Sequence, residues 1–315
     1  VGLTFRAGFN VKANFENVGR YAAFTQPGAA TSATDHRYDD GYNLVDATGN
    51  NHFGELATQN WGYQNNSQYN ASGNGSIAMH SSSSAGGNSG SQSQDLAPGF
   101  EISLGRDLVQ RDHWTLGVEG AFNFSSVDIR DGRTVAGRTT RLTDTYDLGG
   151  ITPALAPYDG SFGDPGALLG DAPTRSTEQL TLPVTGSRQV EASIFGFRFG
   201  PYLELPITKK FSALFNAGLA VAIVDGKYSF NESIATPDRG NFAAVGVHDE
   251  TQVLLGGYAG LNLAYAFTEN WSLIAGAQWQ DVGKYSNTPN VNGAGSATLD
   301  LRDSIFVNVG VAWQF

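Results

Sequence analysis

Charged side chains recur on the polar faces of segments that otherwise alternate with apolar residues: Arg6, Lys12, Arg198 and Arg302 as cations, Glu101, Glu119, Glu204 and Asp300 as anions. The two sets balance. An unpaired buried charge costs several kcal/mol, so a balanced set facing one narrow interior reads as a paired network that fills it. The competing reading is an ion path lined by the same charges.

Other residues capable of chemistry lie between these segments. The histidines are His36, His52, His80, His113 and His248; His80 adjoins the run Ser81-Ser82-Ser83-Ser84 and His248 adjoins Asp249. Adjacency in sequence is not the geometry that a nucleophile and its base require, and no G-x-S-x-G elbow occurs, so no catalytic residue is assigned and no enzyme is expected. Asp35, Asp39, Asp40 and Asp46, with Gly41 and Asn43 among them, offer oxygen ligands to Ca²⁺ without the spacing of an EF-hand; the alternative is a solvated acidic loop. No other cofactor is expected. Tyr38, Tyr42, Trp61, Tyr63 and Tyr69 crowd an otherwise hydrophilic stretch, which implies either a packed cap or a contact surface for another protein.

The elements that position these residues follow from composition and periodicity. The chain has 40 Gly, no Cys and a single Met, so neither disulfides nor thiolate metal sites hold it. A net charge of −11 with no basic patch argues against nucleic acid. No apolar run reaches the roughly 18 residues of a membrane helix, yet a membrane barrel stays open, because its strands alternate lipid-facing and lumen-facing side chains.

Eight segments show that alternation. Their apolar sets begin with Leu3, Phe5, Ala7, Phe9, Val11, Ala13 and Phe15; then Phe100, Ile102 and Leu104; then Trp114, Leu116, Val118, Phe122 and Phe124. Next come Phe195, Phe197, Phe199, Leu203 and Leu205, followed by Phe211, Phe215, Leu219, Val221 and Ile223. The last three are carried by Val253, Leu255, Leu261, Leu263, Tyr265 and Phe267; by Trp271, Leu273, Ala275, Ala277 and Trp279; and by Val307, Val309, Val311, Trp313 and Phe315. Short turns and long polar segments alternate between them. The long ones, expected outside the membrane at about 16–95, 126–187, 231–249 and 286–297, far exceed the usual connection of a few residues. The segments 64–95 and 126–187 read as loop, although Gln68 to His80 could form a hairpin and raise the strand count to ten.

The polar faces carry Gly, Asn, Gln and Ser rather than the Lys and Glu of a solvated sheet. Aromatics gather at strand ends: Trp114, Phe211, Phe267, Trp271 and Trp313 by the short turns, and Phe15, Phe124, Tyr228 and Trp279 toward the long connections, as two interfacial girdles would require. The expected fold is therefore all-β, a transmembrane antiparallel up-and-down barrel of eight strands.

The last strand reads Asn308-Val309-Gly310-Val311-Ala312-Trp313-Gln314-Phe315. It resembles the C-terminal signal of bacterial outer-membrane proteins, which implies that Asn308, Gly310, Trp313 and Phe315 are read by the barrel assembly machinery. Strands and signal together resemble the small outer-membrane barrels of the OmpA-transmembrane-domain and OmpX kind. The resemblance covers the strands and not the long connections, and no periplasmic domain is expected after the barrel. It implies a processed chain in the outer membrane of a Gram-negative bacterium, termini periplasmic and long connections at the cell surface, in contact with lipid and with other surface proteins. The expected role is a structural, display or interaction scaffold with a charge-plugged lumen. A small porin-like pore is the alternative, and a lipid-modifying or proteolytic barrel a minor one.

Overall fold

The computed structural model describes residues 1–45, 56–162 and 166–314. Asp46, His52 and Phe315 lie outside the described residues. Eight strands form the central ring: β1 (Gly2–Phe9), β2 (Ala97–Arg111), β3 (Trp114–Asp131), β4 (Thr174–Pro206), β5 (Phe211–Thr236), β6 (Gly240–Ala266), β7 (Trp271–Asp281) and β8 (Ser304–Trp313). Each pairs antiparallel with the next in chain order, and β8 returns to β1. The circuit is closed, so the expected alternation of in and out has a lumen to face.

The outward faces of this circuit are apolar at the end near the short turns. Leu3, Phe5, Phe100, Ile102, Phe197, Phe199, Leu219, Leu255, Leu263, Leu273 and Val309 are all exposed, Leu219 at 72% and Leu255 at 75%. The inward positions there are polar and buried: Thr4, Arg6, Glu101, Asn123, Arg198, Asn216 and Gln278. A soluble barrel would show the reverse. An apolar belt around a polar interior is what a closed sheet in lipid demands, because lipid solvates the outside and the ring satisfies its own backbone.

Farther along the same strands the arrangement inverts. On β3 the inward Asn123 and Ser125 give way to Val127 and Ile129, while the outward Phe122 and Phe124 give way to Ser126, Asp128 and Arg130. On β4 the outward Phe195 is succeeded, away from the short turns, by Ser193, Glu191 and Gln189, and the inward set becomes Ile194, Ala192 and Val190. The inverted zone has an apolar interior and a water-facing outside, so the crossover marks a membrane interface. Length agrees: β4 has 33 residues, roughly 110 Å of strand at about 3.3 Å per residue, whereas crossing the bilayer takes about 9–11 residues.

On β1 and β8 the inversion comes from the backbone. Asn10 has φ 63° and Asp303 φ 52°, the left-handed region that Asn and Asp tolerate best, and Asn10 Nδ2 donates to the Asp303 carbonyl at 2.9 Å. The break shifts the alternation by one residue. Leu3, Phe5 and Phe9 are exposed, but Val11, Ala13 and Phe15, on the strand Val11–Glu16, are buried. This corrects the single apolar face expected from Leu3 to Phe15.

The expected loops carry β-structure of their own among the described residues. Segment 126–187 contains the ends of β3 and β4 and the strand Val135–Asp147, which pairs with the outer part of β4. Ser76–Gly86 pairs with that strand in turn, and Tyr69–Asn70 with Ser76–Gly86, so the anticipated hairpin exists but extends the outer sheet and leaves the ring unchanged. The serine run is part of it, with Ser81, Ser82 and Ser84 buried. The 231–249 segment is mostly strand, since β5 and β6 run on to a turn between Thr236 and Gly240. In 286–297 short strands, Lys284–Asn287 and Ser296–Asp300, pair with each other, and the latter also pairs with Val11–Glu16. Trp114, Phe211, Phe267, Trp271 and Trp313 are exposed as a girdle requires, and so is Trp279. Phe15 and Tyr228 do not join a girdle: both are buried, their rings 5.9 Å apart inside the outer half of the barrel.

Candidate functional site: a sealed lumen and an outer histidine–carboxylate cluster

Within the membrane zone the lumen closes on Glu101 of β2. Arg6 of β1 donates through Nη1 at 2.8 Å, and Arg198 of β4 through Nη2 at 2.5 Å and Nε at 3.1 Å. Glu119 of β3 lies 3.5 Å from Arg198 Nη1 and accepts from Asn216 of β5 at 3.2 Å. Arg6 also donates to Gln280 of β7 at 2.9 Å. The guanidiniums sit over rings, Arg6 3.6 Å from the Phe306 centroid on β8 and Arg198 4.5 Å from the Tyr258 centroid on β6. Every ring strand thus places a side chain in one layer. Arg6, Glu101 and Arg198 are buried, which requires the mutual pairing they show.

The other charges expected in this network lie elsewhere. Glu204 lines a vestibule of about 350 Å³ at the short-turn end with Tyr202, Asp107 and Glu119. Lys12 is exposed because the break at Asn10 turns it outward. Asp300 accepts from the exposed Arg302 at 2.9 and 2.7 Å, above the crossover. That bond, chiefly the Arg302 side chain's, holds the Asp300 carboxyl below its ordinary range.

Above the charged layer the interior is packed with Val11, Phe15, Val127, Val190, Val224 and Leu299, among others. Higher still is an ion cluster that the sequence reading missed. Arg188 donates to Glu232 at 2.8 Å and to Asp131 at 3.0 Å, all three buried. Burial raises the Glu232 carboxyl, partly offset by Arg188. Asp131 and Glu232 fell in stretches read as loop, and Arg188 between such a stretch and the fourth segment; once these are strands, parity with Ile129, Val190 and Ile234 points all three inward.

The outer cap has its own core: Tyr38, Trp61, Tyr63, Ile77, Met79, Tyr146, Leu148 and Leu169, with Tyr69 against it. Tyr38 donates to Asp144 at 2.7 Å and lies 2.7 Å from the Tyr146 hydroxyl, while Arg175 grips Asp144 at 2.8 and 2.6 Å. Burial, more than any neighbouring charge, pushes both phenols above their ordinary value. Trp61 donates to the Ala167 carbonyl at 2.8 Å and Tyr42 bonds to Gly160. Three of these aromatics are packed inside the cap, while Tyr42 and Tyr69 are half-buried. Tyr38, Trp61 and Tyr63 are too buried to offer a contact surface.

The described acidic residues among those nominated for Ca²⁺, Asp35, Asp39 and Asp40, go to separate partners. Asp35 accepts from the Val45 amide at 2.9 Å, and Asp39 from Thr25 at 2.9 Å and the Ser82 amide at 3.0 Å. Asp40 receives both the backbone N–H of His80 at 2.7 Å and, at 2.5 Å, its imidazole Nδ1. Asp238, in the β5–β6 turn, lies 3.7 Å from the same nitrogen and is clasped by Arg141 at 3.0 and 2.5 Å. His248 instead meets Asn287 at 2.8 Å, and His36 lies between the Pro27 and Thr31 carbonyls. On β8, Asn308 faces inward to Asn262 at 3.0 Å, Gly310 lies so close to Leu3 and Thr4 of β1 that a Cβ would collide, and Trp313 is exposed at the short-turn rim.

No protein-family model matches the chain, and no curated protein does. Among solved structures it is similar to the outer membrane protease OmpT of Escherichia coli, at 9% identity and TM-score 0.35, covering 100% of this chain and 97% of that one. A Pseudomonas aeruginosa FadL homologue gives 10% and 0.21, covering 100% and 90%. The transport unit of the autotransporter AIDA-I from Escherichia coli gives 8% and 0.17, with the same coverage. Likenesses this distant carry no argument about activity.

Proposed function

We propose that the chain is a non-conducting barrel of the bacterial outer membrane, crossing in eight strands in the manner of the OmpA transmembrane domain and OmpX. Its work is done by the β-structure it holds rigidly outside the membrane. The observation that carries this reading is the double seal of the lumen, a charged layer joined by all eight ring strands and an apolar core stacked above it. Such a lumen offers no continuous water path, so display or binding at the cell surface is favoured over transport or catalysis. In this reading the short turns and termini face the periplasm, the apolar belt contacts outer-membrane lipid, and Asn308, Gly310, Trp313 and Phe315 serve the assembly machinery. Partners are other surface proteins met by the cap. Proteoliposomes containing the folded protein should swell in isotonic sugar no faster than empty ones; swelling that scales with protein would remove the proposal.

A further inference from the structure

His80, Asp40 and Asp238 come from three separate parts of the chain: the strand Ser76–Gly86, the segment joining the short strands His36–Arg37 and Gly41–Asn43, and the β5–β6 turn. One potential ligand atom from each lies within 4.8 Å of the others. All three side chains are at most 10% exposed. We propose that they bind a divalent transition-metal ion of the zinc class, which ties the outer cap to the tip of the β5–β6 hairpin.

The donor set, one imidazole nitrogen and two carboxylate oxygens, suits Zn²⁺ and its neighbours better than Ca²⁺, which takes oxygen ligands in larger number. Zinc bonds of about 2.0–2.2 Å in tetrahedral geometry set ligand atoms roughly 3.4 Å apart. The present separations from His80 Nδ1, 2.5 Å to Asp40 and 3.7 Å to Asp238, straddle that value. Loss of the shared proton and a shift of under about 1 Å would therefore admit the ion, with water completing the tetrahedron.

Both carboxylates are already oriented. The His80 amide fixes Asp40 through Oδ1 and leaves Oδ2 toward the imidazole, while Arg141 fixes Asp238. Outer partners of this kind raise ligand precision in metal sites. Arg141 is itself shared with Glu178 at 3.2 Å, so the two ligand carboxylates are not neutralised by it. Arg141 pairs with Asp238, whereas Asp40 has only His80 as an ion-pair partner among the described residues, so a bound cation would supply the second positive charge.

The test is Zn²⁺ titration of the full chain, folded in detergent, by calorimetry, with Co²⁺ absorption as a second readout. Expected is one saturable site whose affinity falls at least tenfold in Asp238→Asn and in His80→Gln, and is unchanged in His248→Gln. Zn²⁺ should also raise the denaturation midpoint of the native protein and not that of Asp238→Asn. Absence of a saturable site in the native protein, equal affinity in Asp238→Asn, or loss in His248→Gln instead would overturn the proposal. Should His80→Gln fail to fold, the native titration and Asp238→Asn, a same-shape change in the β5–β6 turn, decide alone.

Discussion

Replacing Glu101 by Gln removes the one carboxylate that both Arg6 and Arg198 grip. Its two oxygens accept from Arg6 at 2.8 Å and from Arg198 at 2.5 and 3.1 Å, in a layer where these side chains are at most 6% exposed. The variant keeps the shape and strands two buried guanidiniums with only Glu119, 3.5 Å from Arg198, to answer them. Breaking a buried pair from one side costs about 3–5 kcal/mol, and that loss is expected here. The triple variant Arg6→Met, Glu101→Met, Arg198→Met discards the buried pairs and should cost far less, because the one charge it leaves without its partner, Glu119, lines the vestibule. Urea unfolding of the barrel in lipid vesicles, followed by tryptophan fluorescence, reads both. A loss below about 1 kcal/mol for Glu101→Gln, or a triple variant weaker than the single one, would refute the reasoning that pairing holds this layer.

The belt makes a contrast testable by the same unfolding assay: Leu261→Arg, deep in the lipid face, should cost about 2–4 kcal/mol, whereas Val247→Arg, also exposed but above the crossover, should cost about 0–1. Trp61→Ala empties a fully buried position and should destabilise the cap by about 3–5 kcal/mol, seen as protease cleavage of the cap with the barrel intact. Tyr38 and Tyr146 titrate above the ordinary 10.0 in the fold, chiefly because of burial. The stability they contribute is intact below pH 10 and is lost as the pH rises further, since the unfolded phenols ionise first. Phenolate absorbance should show these tyrosines ionising only together with loss of cap structure.

The ring was legible because each of its strands crosses lipid, which forces a period-two signal strong enough to read from Phe195-Phe197-Phe199 or Leu261-Leu263 alone. The outer strands were not, and the reason is physical. There the outside is water and the inside a small apolar core, so Ser81 to Ser84 and the polar stretch Thr174–Gln179 pair through backbone while looking like linker. The phase shift at Asn10 was equally hidden. A left-handed residue leaves no mark on an apolar count, and it carried Lys12 out of the lumen and Phe15 into the core. Of the charge network, Arg6, Glu101, Glu119 and Arg198 were placed together by parity on strands within the membrane, whereas Asp300 and Arg302 sat beyond the break at Asp303. Asp40 and His80 were each noticed, but for different chemistry. Only the fold brings them to one another and to Asp238, nearly 160 residues along from His80.

Planar-bilayer conductance of the purified, folded barrel over a range of salt concentrations tests the sealed lumen most directly. The account predicts no discrete openings at any salt, in the native protein and in Glu101→Gln alike, because the apolar core above the charged layer remains. Reproducible steps that grow in proportion to salt in the native protein would mean an open water path and would contradict it.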